Sequence, residues 1–277
     1  MDAEQAARAL AEAASALTEP HDVAGALVSL LISCRRGLAA DAGAILLECD
    51  GRLELLASSS HQMTELEMHQ LHLDEGPCVE AHHRGVPVRA HTGEELVSRW
   101  PRFGRSMVDA GFASTHATPL DIQGSTVGAM GLFRRSAEPF TRDEGVVADG
   151  FAAIASSLLV NLGTIPADQL RHRLQDALDG RVLIEQANGV LAQVHELTMA
   201  DAYDLLVQSA LDRHEPLTRW ARQVVDESGP LPRRGRVRSR GRRHAEMEVR
   251  SLVDEISILR GLARSLTGMV TDSTPLS

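Results

Sequence analysis

Two short turn signals constrain the fold of this chain more than any other feature. Asp50-Gly51 separates the apolar runs Ala44 to Cys49 and Leu53 to Ser58, and Gln123-Gly124 separates Ala113 to Leu120 from Ser125 to Phe133. A two-residue turn ending in glycine between such runs predicts an antiparallel hairpin. Val86 to Ala90, after the turn Arg84-Gly85, reads as a further strand. Helical spacing surrounds these segments. An Ala-rich stretch, residues 3 to 17, ends at Thr18-Glu19-Pro20, and Val23 to Leu38 puts Ala26, Leu27, Leu30, Leu31 and Cys34 on one side. A long apolar helix, Asp143 to Leu162, closes this half. Helix, antiparallel strands, a helical crossover and a closing helix predict an α+β domain with helices against a central sheet.

The second half has no strand signals. Arg181 to Val225 reads as three short amphipathic helices. Val182, Ile184, Ala187 and Leu191 form the stripe of the first; Ala202, Leu205, Leu206, Ser209 and Ala210 share a face of the second, with Thr198 as its N-cap. The third follows Pro216 and carries Leu217, Ala221, Val224 and Val225. Gly229-Pro230-x-Pro232 then stops the helix, and Arg233 to Arg243 packs arginines among Gly and Ser, the composition of a solvated arm that contacts nucleic acid. From His244, Val249, Leu252, Ile256, Leu259, Ala263, Leu266 and Val270 make a short heptad stripe, fitting either a coiled coil or a helix packed on its own chain. The expected organisation is a domain at 1–163, a helical domain at 164–229, an Arg-rich linker at 230–244 and an amphipathic helix at 245–271.

At 277 residues the chain is long enough for two cores. No apolar run reaches the roughly 18 residues a membrane span requires, and the acidic start is unlike a signal peptide, so a cytoplasmic protein is expected. Cys34, Cys49 and Cys78 are odd in number and irregularly spaced, which argues against a disulfide framework. The net charge of −10 disfavours indiscriminate nucleic-acid binding, although all 28 basic residues are arginine, a side chain suited to phosphate.

Two resemblances add to this reading. Ile184-Glu185-Gln186-Ala187-x-Gly189-Val190-Leu191, Asp201-Ala202-Tyr203-x-Leu205-Leu206 and Leu217-x-x-x-Ala221-x-x-Val224-Val225 resemble the ANTAR domain, a small helical RNA-binding module of bacterial antiterminators. Asp74-Glu75-Gly76-Pro77-Cys78, Gly85-x-Pro87-Val88, Trp100-Pro101-x-Phe103, Ala110-Gly111-Phe112-x-Ser114 and Gly124-x-x-x-Gly128-Ala129-x-Gly131-Leu132-Phe133 resemble a GAF domain, of the actinobacterial subgroup that precedes an ANTAR module. The pairing implies a GAF-like antiparallel sheet flanked by helices, followed by an all-α three-helix bundle and a helical tail. It also implies a signal-responsive antitermination regulator that binds RNA stem-loops in transcript leaders as a homodimer, with a small-molecule ligand in the GAF half. The alternative is a protein-interaction or dimerisation regulator whose RNA face is degenerate.

On this resemblance Gln186 and Asn188 would read base edges, Gly189 would admit close approach, and Arg181, Arg219 and Arg222 would hold phosphates. Asn188 stands where the family usually has lysine, His214 and Pro216 replace its usual asparagine and nearby base, and Val207 and Gln208 replace basic residues. The arginine arm is then the expected source of the missing charge.

No catalytic constellation is visible, so no enzyme is expected. Glu65 and Glu67, or Asp74 and Glu75, lie in polar stretches without a positioned partner. Cys78 is the exception worth following. Near a helix N-terminus its thiol pKa should fall, and His82 would share its face at i+4, as a redox-sensitive pair or two of the ligands of a metal site. The other reading is a small buried cysteine beside surface histidines. No metal site and no particular cofactor is assigned.

Overall fold

The computed structural model describes residues 3–15, 22–160 and 167–228; the side chains of residues 167–174 and 228 are not part of that description. The arginine arm, the heptad stripe and the domain boundary expected between residues 163 and 164 all lie outside the described residues.

Both hairpins form where the turn signals place them. Strand β1 (Ala42–Cys49) pairs with β2 (Arg52–Ser58) so that Cys49 faces Arg52, which leaves Asp50 and Gly51 as a two-residue loop. Their φ values, 50° and 77°, are both left-handed, as the hairpin turn matching strand twist requires. The second hairpin repeats this, with Gln123 and Gly124 at 52° and 82° between β4 (Ser114–Ile122) and β5 (Ser125–Arg134). With the short β3 (Val88–Ala90) the strands form one antiparallel sheet in the order β2-β1-β5-β4-β3.

Both faces of this sheet are buried, which explains apolar runs without polar alternation. Ile45 and Leu47 join Leu27, Leu31, Met130, Leu132 and Phe151 on one side, under helices α1 (Ala3–Ser15), α2 (Val23–Leu38) and α7 (Arg142–Val160). Ala44 and Leu46 point the other way, into a cluster with Met63, Trp100, Phe103, Phe112 and Phe133. That cluster lies under the crossover, which the sequence read as helical without resolving its separate helices. It holds four helices: α3 (His61–Leu73), α4 (Pro77–Arg84), α5 (Gly93–Arg99) and α6 (Phe103–Asp109). Ser60 and Thr92 cap α3 and α5 by accepting from Met63 N and Glu95 N.

The ends of α2 and α7 are tied together by one buried ion pair. Arg134 Nη2 lies 2.7 Å from Glu144 Oε1, both side chains are only 6 % exposed, and the same nitrogen donates to the Leu38 carbonyl. Glu144 also closes a reciprocal cap at the start of α7: its carboxylate accepts from Thr141 N at 2.8 Å while Thr141 Oγ1 accepts from Glu144 N at 3.2 Å. Burial alone would raise the Glu144 pKa, but these hydrogen bonds and the guanidinium hold it below the usual carboxylate range.

The remaining helices are α8 (Ala167–Val194), α9 (Met199–Asp212) and α10 (Leu217–Ser228). The second and third expected helices form as read, Thr198 capping α9 by accepting from Asp201 N. The first does not stand alone. It is the C-terminal part of the 28-residue α8, because residues 167–181 contain neither Gly nor Pro until Gly180 and are rich in helix-forming Ala, Gln, Leu and Arg. No described helix is long and apolar enough to cross a membrane.

Replacing Glu144 alone by Leu should cost about 3–5 kcal/mol in urea unfolding, since Arg134 would be left buried and unpaired. The double replacement Arg134→Met with Glu144→Leu should recover part of that loss. A single variant as stable as the parent would show that the pair does not hold α7 in place.

Candidate functional site

The helical module is built around α8. Its buried stripe, Ala177, Ile184, Ala187 and Leu191, packs with Tyr203 and Leu206 of α9 and with Leu217, Trp220 and Ala221 of α10. The six residues proposed from sequence as an RNA surface divide according to which side of these helices they occupy. Arg219 and Arg222 are exposed, one turn apart on α10. Gln186 is exposed, and a Cβ at Gly189 would meet nothing within 4 Å, so among the described residues that helical glycine answers no packing need. Arg181 is half-buried, about 140° around α8 from Gln186 at 100° per residue, and its guanidinium lies 3.8 Å from the Met68 sulfur of α3.

Asn188 corrects the sequence reading. Its side chain is fully buried, and among the described residues neither its amide nitrogen nor its amide oxygen has a hydrogen-bond partner. In this arrangement it cannot present an edge to a base. The reason is helical phase: Asn188 follows Ile184 by four and Ala187 by one, which puts it on the packed side. One residue that the sequence did not single out joins the exposed set instead. The Arg213 guanidinium lies 4.2 Å from the Trp220 ring centre, a cation–π contact bridging the end of α9 and the face of α10. Its sequence signal was an arginine seven residues before a tryptophan across a short turn.

In the sheet half, Cys78 also departs from expectation. It does begin α4, directly after Pro77, but it is completely buried, and burial together with the neighbouring Glu67 pushes its thiol well above the ordinary value. Desolvation overrides the helix-terminus effect here. His82 pairs across to Glu48, Nε2 to Oε2 at 3.1 Å, and burial lowers its pKa despite that carboxylate. Among the described residues no group of three or more His, Cys, Asp and Glu is arranged to hold a metal.

The carboxylates read as unpartnered turn out to be placed. Glu75 accepts from Arg102 N and Phe103 N at 2.7 and 3.0 Å and so caps α6; burial would raise its pKa, and these bonds with the Arg102 guanidinium bring it below normal. Glu67 is wholly buried. One of its oxygens accepts from Gln70 Nε2 and the other has no partner, while Gln70 Oε1 accepts from Cys78 N at 3.1 Å. Burial pushes the Glu67 pKa up to about 8, so the side chain is largely uncharged at neutral pH.

A second buried group sits on the opposite face. His116 Nδ1 accepts from Arg89 Nε at 2.9 Å, and its Nε2 lies 3.0 Å from Thr118 Oγ1, which donates to Asp149 Oδ1 of α7 at 3.3 Å. These partners require a neutral ring with its proton on Nε2. Burial first, and then the Arg89 charge, lower its pKa to about 4.

Residues 172–225 match the ANTAR domain family. None of the curated proteins matches the chain. Among solved structures, the GAF domain of a phosphoenolpyruvate-protein phosphotransferase from Coxiella burnetii is 17 % identical over 58 % of this chain and 95 % of its own, with a TM-score of 0.47. The corresponding GAF domain from Acinetobacter is 15 % identical over 57 % and 94 %, TM-score 0.45. A GAF domain/HD domain protein from Geobacter sulfurreducens is 15 % identical over 58 % and 97 %, TM-score 0.41. The five-stranded antiparallel sheet between two helical layers is the α+β architecture expected of this half.

The two buried titrating groups have opposite signatures. Glu67 binds its proton more tightly in the folded chain, so its contribution to stability is lost as pH rises from 4.5 towards 8. His116 binds its proton more weakly when folded, so stability falls as pH drops from 6.5 towards 4. Urea midpoints at pH 6 to 9 should therefore show Glu67→Gln gaining on the parent by up to a few kcal/mol as pH rises. A gap independent of pH would mean that Glu67 is not held protonated.

Proposed function

We propose, from an ANTAR domain joined to a GAF-like sensor half, that the protein is a signal-responsive antitermination regulator. The ANTAR domain binds RNA stem-loops in transcript leaders, the GAF-like half responds to a small-molecule signal, and the working form is a cytoplasmic homodimer without enzymatic activity. The observation that carries this reading is the ANTAR match over residues 172–225 with Arg219 and Arg222 exposed on its last helix. Gln186 and Gly189 present a second accessible patch, in which an amide can donate and accept at a base edge. Arg233 to Arg243, immediately after the domain, offsets the carboxylates of a chain whose net charge is −10.

A second reading rests on the position of Asn188 and Arg181. One is buried and the other is turned towards Met68, which would suit a dimerisation or protein-interaction regulator that no longer reads RNA.

Fluorescence anisotropy with a panel of labelled leader stem-loops, across a salt series, separates the two. The parent protein should select among loops, and Arg219→Ala with Arg222→Ala should weaken binding and flatten the log–log salt slope by about 0.7–0.9 for each phosphate that is no longer neutralised. Absence of loop-selective binding by the parent would favour the interaction reading.

A further inference from the structure

The helical module is not free of the sensor half: α8 packs on α2, α7 and β2, α9 packs on α3, buried apolar residues of both halves form one core, and one carboxylate bonds to a helix in each. Asp22 Oδ1 accepts from Gly25 N at 2.9 Å, capping α2; Asp22 Oδ2 accepts from Thr218 N at 2.8 Å, in the first turn of α10. One side chain therefore serves two helix N-termini, one in each half, and its negative charge suits the positive end of both helix dipoles. The packing around it is close. A Cβ at Gly25 would lie 3.0 Å from Leu217 Cβ, and one at Gly180 of α8 would lie 2.9 Å from Ala24 Cβ and 3.1 Å from Thr218 Cγ2.

A second tie lies at the far edge of the sheet. The Tyr203 hydroxyl, on α9, is buried and donates to the Ser58 carbonyl at the end of β2 at 2.8 Å. Nearby, Arg35 of α2 and Asp204 of α9 attract one another as opposite charges.

Against these ties stands the amide of Asn188, buried with neither of its polar atoms paired. A buried amide without partners is a cost that folding normally avoids, and its presence points to another arrangement in which those atoms are satisfied. Asn188 lies seven residues beyond Arg181, so the two share one side of α8, and Arg181 is the residue turned onto Met68 of the sensor half.

We propose that this arrangement is a latched state: Asp22 and Tyr203 help to hold the ANTAR domain against the sensor half, and undocking frees Arg181, and with it the side of α8 that carries Asn188, for RNA. The latch rests on the RNA-reading role proposed above. Signal binding then acts by shifting the balance between latched and released states, not by creating a new surface.

Asp22→Asn isolates the latch. Asparagine is an equally good N-cap, so α2 keeps its bond to Gly25, but the amide nitrogen cannot accept from Thr218. Hydrogen exchange on the full chain should show about tenfold faster exchange at the start of α10 and around Asn188, with α2 unchanged. Tyr203→Phe, which removes the other tie without altering packing, should act in the same direction. Stem-loop affinity should rise in both variants. Asn188→Leu should do the opposite, slowing exchange because an apolar side chain suits the buried site, and lowering RNA affinity.

Unchanged exchange in both Asp22→Asn and Tyr203→Phe would overturn the latch. Faster exchange with stem-loop affinity equal to that of the parent would overturn its control over RNA binding. Faster exchange when neither parent nor variant binds any stem-loop would uphold the latch as a docking device and sink the RNA-reading function instead.

Discussion

Helix α2 has to satisfy two structures at once, and the rest of the molecule is arranged around that demand. Along its length Leu27, Leu30 and Leu31 are fully or almost fully buried, joining the core that covers one face of the sheet. At its first turn it meets α8 and α10 instead, through Ala24 and Gly25, residues small enough for backbones to approach. At its last turn the Leu38 carbonyl is held by Arg134, which is paired with Glu144 of α7. A shift of α2 along its axis would therefore disturb the sheet core, the buried ion pair and the ANTAR contact together. Close-packed interiors transmit such shifts rather than absorb them.

The sheet half also reaches α2 through α7. The crossover helices cover the opposite face of the sheet, where Glu67, Gln70 and Cys78 form a buried polar group amid Met63, Phe103 and Phe133. A polar group of this kind specifies one packing arrangement only while its bonds are complete, and one Glu67 oxygen is unpaired. Across the sheet, the chain of bonds from Arg89 through His116 and Thr118 to Asp149 ties strand β3 to α7, the helix that packs on α2. The α7 side of the sheet is thus connected to the helix that carries the latch.

Much of this fold could be read in advance because its signals are local. Asp50-Gly51 and Gln123-Gly124 determine their own backbone, and Thr198 caps α9 with a bond three residues long. The bounds of α2, from Val23 to Leu38, follow from its apolar spacing. Misread features are those that depend on distant partners. Glu67 sits among polar neighbours in sequence, yet the segment folds so that it faces Cys78 and the underside of the sheet. Cys78 has the helix-terminal position that lowers a thiol pKa, but its desolvation comes from strands that are 30 or more residues away. Asn188 belongs to a recognisable pattern, but only the phase of the full-length α8 reveals that it faces inward. Asp22 gave no sign of its second role, since its partner Thr218 is 196 residues further on.

The energies involved also suit a reversible contact rather than a permanent one. A hydrogen bond from a peptide N–H to a carboxylate contributes about 1.5–3 kcal/mol, and a neutral one such as Tyr203 to Ser58 about 1 kcal/mol. An unpaired buried polar group such as the Asn188 amide costs about 1–3 kcal/mol. These polar terms nearly cancel. The polar bonds therefore add little net hold to the apolar core that the two halves share, and a two-state equilibrium needs about 5.5 kcal/mol of differential ligand affinity to pass from 1:99 to 99:1. Small side chains at the meeting of α2 with α8 and α10, Ala24, Gly25 and Gly180, bury less apolar area than the roughly 1.5–3 kcal/mol worth of a large side chain, so the Asp22 and Tyr203 ties and the uncompensated Asn188 amide weigh more in that balance.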